Sequence, residues 1–82
     1  MDTIDHIKKI GKVEEIRKIM LDAWHTYKGD KKYIVVYHFT RWSIKGFDVF
    51  EEAVNELNRM HSMRWDTLAI VSKEQVWFYG EV

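Results

Sequence analysis

Cysteine and proline are both missing from this chain of 82 residues, glycine occurs four times, and the formal charge sums to zero. Each of these absences excludes something. Without cysteine there is no disulfide framework and no thiolate metal site, and a reducing compartment is the natural expectation. The scattered glycines and missing proline leave no linker at which a second domain could begin, so residues 1–82 read as one domain. A zero net charge argues against a general nucleic-acid coat, which needs strong positive charge. The longest apolar run, Tyr33-Ile34-Val35-Val36-Tyr37, is strand-sized, far short of the ~20 residues that span a bilayer. The first residues carry Asp2 and Asp5 in place of the basic and apolar regions of a signal peptide. The expected location is cytoplasmic, with no membrane partner.

Catalytic signatures are missing too. No Ser stands in a GxSxG setting, no glycine-rich loop could cradle phosphate, and no His pair has the i, i+4 helical spacing of a zinc site. The expectation is therefore a non-enzymatic chain without metal or cofactor. The best enzymatic alternative places acid–base chemistry around His38, His61 and Asp66.

What is present is a core. Hydrophobic residues make up 46% of the chain and aromatics 15%, enough to exclude disorder. A domain this small buries only about 60–65% of its unfolded surface, so that apolar content must be densely packed.

The pattern divides into an N-terminal helical segment over 3–27 and a sheet with a second helix over 32–80. Val13, Ile16, Met20, Ala23, Trp24 and Tyr27 share one helical face between Lys12 and His25, with Gly29 placed for a left-handed cap. Ile4, Ile7 and Ile10 lie elsewhere on that wheel, which predicts a separate turn or a bend at Gly11. Tyr33 to Thr40 reads as a strand and Trp42 to Phe47 as a short second one. Asp48 and Glu51 have capping-box spacing before Val49, Phe50, Ala53, Val54, Leu57 and Met60. Thr67 to Val71 and Val76 to Tyr79 form a hairpin. The fold class is α+β, in the order α-β-(β)-α-β-β, with two helices on a three- to four-stranded, mainly antiparallel sheet. Were the Trp42 strand absent, the Tyr33 and Thr67 strands would instead be joined by a right-handed parallel crossover.

Both faces of this sheet read as apolar. Ala69, Val71, Val76 and Phe78 share one side; Leu68, Ile70, Trp77 and Tyr79 share the other. An antiparallel sheet with one wet face should alternate apolar and polar. Either the helices cover opposite faces, or one face meets another molecule. The second reading is favoured here because the candidates include Trp and Tyr, which interfaces prefer. The capped helix is then expected over Val71 and Phe78, leaving Leu68, Ile70, Trp77 and Tyr79 to a partner.

Charge is uneven along the chain. Residues 28–46 hold five bases (Lys28, Lys31, Lys32, Arg41, Lys45) against Asp30, while residues 47–82 hold three bases against seven acids. Such a polar chain suits a charged partner or a rotated copy of itself. The functional expectation is a protein-interaction module, binding another protein or itself as a homodimer, through the aromatic face and Arg41, Trp42 and Lys45. In size and lack of motifs it is like small accessory proteins of phages and mobile elements. The alternative is single-stranded nucleic acid bound by Arg41, Trp42, Lys45, Arg64 and Trp65, where cations and stacking surfaces mix.

Overall fold

A computed structural model describes residues 3–38, 40–63 and 67–81. In chain order the elements are α1 (Thr3–Ile10), α2 (Val13–Thr26), β1 (Tyr33–His38), β2 (Trp42–Phe47), α3 (Phe50–Ser62), β3 (Thr67–Ser72) and β4 (Gln75–Phe78). The four strands form one antiparallel sheet in the order β2-β1-β3-β4. The Trp42 strand exists, so β1 and β3 run antiparallel and the parallel crossover does not occur.

The two apolar sides predicted from sequence are the two cores. Ile34, Val36, Ala69, Val71, Val76 and Phe78 pack with Ile4 and Ile7 of α1 and Met20 of α2. On the other side Val35 and Ile70 pack with Ala53, Leu57 and Met60 of α3, with Tyr33, Phe50, Trp77 and Tyr79 around them. The assignment of helices to faces is therefore corrected: α3 covers the Trp77 side, and α1 with α2 covers the Val71 and Phe78 side. The physical reason lies in the connection after β2. Phe47 pairs with Tyr33 and so points to the Val35 side. Three residues later Phe50 packs edge-on against both Tyr33 and Trp77. A connection that short cannot carry the helix around the sheet edge.

Helix ends also differ from expectation. Asp48 does not cap α3; the N-cap is Val49, with extended backbone and no side-chain bond. The Asp48 carboxylate instead accepts from Lys31 Nζ at 2.9 Å. Nor does Gly29 cap α2, which ends at Tyr27 in extended conformation. Gly29 and Gly46 serve a different purpose, since a Cβ on either would collide with the Tyr27 side chain. Gly11 does turn the chain. At φ 72° it follows α1, with Gly11 N–H bonded to Lys8 C=O and Lys12 N–H to Ile7 C=O. That pair of bonds is a Schellman motif.

The β3–β4 loop has two residues, Lys73 and Glu74, between the paired Ser72 and Gln75. Lys73 has φ 52°, the sign that tight hairpin turns require at their first central position. A lysine tolerates this poorly. Lys73→Gly is expected to raise stability by about 0.5–1 kcal/mol, read as a rise of roughly 2–8 °C in Tm. A lower Tm would mean that the lysine side chain, not the turn backbone, matters at this position.

Candidate interaction surface

With both sheet faces covered, the proposed aromatic face is not open. Ile70 is fully buried and Trp77 half-buried against Phe50. Tyr79 is half-buried too, stacked on His61 at 3.8 Å with nearly parallel rings. The Leu68 side chain lies outside the described residues, as do Arg64, Trp65 and Asp66 entirely.

Lys45 also has another engagement. Its Nζ bonds Glu56 at 2.7 Å, and Glu56 accepts a second bond from Arg59 Nε. Glu56 lies on α3, its side chain 6% exposed. The Arg59 bond, reinforced by Lys45, holds the Glu56 carboxyl below the usual carboxylate range against the opposing effect of burial. A lowered folded-state value means stability that is present above the ordinary value of 4.5 and lost as pH falls through the lower one. Glu56→Gln should cost on the order of 1 kcal/mol at neutral pH, since the cationic ends lie in water, and nothing further in acid. Urea midpoints of the parent and variant from pH 7 to pH 3 should therefore converge at low pH; parallel curves would remove Glu56 from the acid response.

The two histidines of the enzymatic alternative are not brought together. His38 shares the side of Ile34 and Val36 and packs on Trp42 at 4.7 Å between ring centres. His61 stacks on Tyr79 with the opposite cluster. Among the described residues no group of three His, Asp or Glu could hold a metal ion, and no helix is long and apolar enough to cross a membrane.

What stays open is Trp42, and with it a surface that sequence reasoning did not single out. Helix α2 lies over β1, β3 and β4, while α3 lies over β1, β2 and β3. On the α2 side the edge strand β2 is consequently uncovered at Trp42 and Ile44, while the Tyr27 and Lys31 side chains lie over Gly46. Register puts Trp42 and Ile44 on that side, across from His38 and Val36. They are 41% and 39% exposed, and Ile19 of α2 is 39% exposed. Between helix and strand runs a groove of about 470 Å³ with Ala23 and Val36 deep in it and Asp22 on its rim. Arg41 stands exposed in the turn before Trp42.

The sheet's two edges are treated differently. In an antiparallel sheet successive residues direct their N–H and C=O alternately to one neighbour and the other. On β4, Val76 C=O accepts from Arg17 Nη1 at 3.3 Å and Phe78 N–H donates to Glu81 Oε1 at 3.0 Å. Val76 and Phe78 thus face outward; Arg17 takes Val76 C=O, Glu81 takes both Phe78 N–H and, through its own N–H, Phe78 C=O, and among the described residues only Val76 N–H has no bond on this edge. Carried strand by strand through the registers, this alternation turns Lys45 and Ser43 toward β1 and leaves Trp42, Ile44 and Gly46 facing outward on β2. Among the described residues, no side chain or other segment bonds those groups.

A second cleft, of about 490 Å³, is lined by Trp24, Tyr33, Ser72 and three lysines, Lys31, Lys32 and Lys73. Lys31 is held there by Asp48, which raises its pKa. No protein-family model, curated protein or solved structure matches this chain.

Proposed function

We propose that this chain is a non-enzymatic protein-interaction module that pairs its β2 edge with a strand of a protein partner. The observation that carries this reading is the open edge at Trp42, Ile44 and Gly46 beside an apolar groove, in a sheet whose other edge is largely occupied. Strand addition of this kind takes affinity from main-chain hydrogen bonds and specificity from pockets for alternate side chains. Here the edge supplies the first and the Ile19–Ala23–Val36 groove the second. The experiment is capture from the native host by the parent and by Ile44→Lys, with circular dichroism as the fold control. Ile44 is part-exposed, so the lysine side chain can reach water. A partner held by the parent and lost by the variant supports the reading; equal capture by both overturns it.

A second reading rests on the lysine-lined cleft, whose Trp24 and Tyr33 could stack bases while Lys32 and Lys73 meet phosphates. It is tested by oligonucleotide quenching of Trp fluorescence that falls with salt and disappears in Lys32→Glu/Lys73→Glu. Quenching unchanged in that double variant would remove the cleft from consideration.

A further inference from the structure

We infer that the strand received by β2 is β2 of a second copy of this chain, joined about a two-fold axis at Ile44 into a continuous eight-stranded sheet. This rests on the strand-pairing reading above and names its partner. Because a two-fold axis perpendicular to the sheet keeps each face on its own side, residues can pair only with residues of the same side. The candidate registers are therefore few. Ile44 opposite Ile44, with Trp42 opposite Gly46 and Gly46 opposite Trp42, engages every outward-facing residue of both strands in the hydrogen-bonded type of pair. A shift by two residues one way sets Lys45 against Lys45, and like charges directly opposite are destabilising. A shift the other way leaves Gly46 unpaired.

Side chains and charges fit the same register. Trp42 lands opposite Gly46, where the Tyr27 hydroxyl and the Lys31 stem already lie over the glycine, so the indole packs against those two side chains and not into empty space. Ile44 meets Ile44 on the axis, so the two grooves become one trough. Antiparallel pairing also brings the ends of the strand together crosswise. Arg41, exposed before β2, comes within a residue of Asp48, exposed after it, and the two-fold makes that contact twice. On the α2 face there is room beside Trp42 and Ile44, because α2 stands over β1, β3 and β4, while α3 covers β2 on the other face. Edge pairing alone buries little surface, so the association belongs to the weak class of interface.

Sedimentation equilibrium of the full chain should show a mass rising from 10.0 kDa toward twice that as concentration climbs from low micromolar. Ile44→Lys places two ammonium groups on the axis and should keep the mass at that of one chain throughout. The register is read separately with Ile44→Cys, the only thiol in a chain that has none. Directly opposed residues of a hydrogen-bonded pair lie about 5.5 Å apart at Cα, within disulfide reach. Oxidation should link this variant at least tenfold faster than Lys73→Cys, whose thiol sits in the β3–β4 turn. A parent that stays monomeric, a dimer that survives Ile44→Lys, or equal linking by the two thiols each overturns the inference. Host capture by the parent but not by Ile44→Lys would then leave the strand-pairing reading standing with a different partner; no difference in capture would end both.

Discussion

Phe78→Ala is expected to remove about 3–5 kcal/mol of folding stability, the largest single loss in the molecule. Phe78 is among the largest side chains that are fully buried. It pairs with Ala69 on β3, belongs to the cluster that joins α1 and α2 to the sheet, and lies under the Arg17 guanidinium at 5.2 Å. Truncation loses the transfer energy of the ring and leaves a void that the surrounding Ile4, Ile7 and Met20 cannot fill without moving helices. A domain of this length has a total stability of about 4–12 kcal/mol, so the variant should be partly unfolded at 37 °C. Urea unfolding followed by circular dichroism measures the difference. A loss below about 1 kcal/mol would mean that the ring is not held as described.

Leu57→Ala is the corresponding expectation on the other face, a loss of about 2–5 kcal/mol. Leu57 is 1% exposed and packs with Val35, Ile70, Ala53 and Met60 beneath α3. Its comparison partner is Ile19→Ala, a truncation of similar size on α2 at a residue 39% exposed. Removing Ile19 leaves no enclosed void and should cost less than about 1 kcal/mol. Near-equal losses from the two substitutions would mean that Ile19 is covered in solution. Concentration-dependent loss at Ile19 alone would locate that cover in an association.

Much of the architecture was legible because strand periodicity is strict. Once Tyr33, Val35 and Tyr37 are set against Ile34 and Val36, every later side of the sheet follows from pairing, and both apolar sides of the sheet emerge from sequence alone, though not the helices that cover them. Which helix covers which side was not legible through helix caps. Asp48 looked like a cap because its spacing to Glu51 allows one, yet the nearby Lys31 ammonium offers the carboxylate a stronger partner than backbone N–H groups. The usable signal was Phe47, which shares a side with Tyr33 and stands three residues before Phe50. Lys45 reads as a candidate binding residue for a similar reason: only after α3 is placed over β2 does Glu56 come within reach of it. Trp42 stands out in the sequence as a candidate binding residue for its neighbours Arg41 and Lys45, and not for its place at the edge. Edge position depends on strand order, which no local pattern in this chain encodes.

The largely occupied edge at β4 has a consequence for valence. A sheet with two open edges can be extended at both, and identical units of that kind add without limit into fibres. Arg17 and Glu81 take Val76 C=O and both backbone groups of Phe78 out of that chemistry. Were copies to pair through β2 as proposed, that pairing would use the more open of the two edges, and the largely occupied β4 edge would oppose further growth. Two side chains far from the groove would then act as chain terminators of a polymerisation that an open strand otherwise invites.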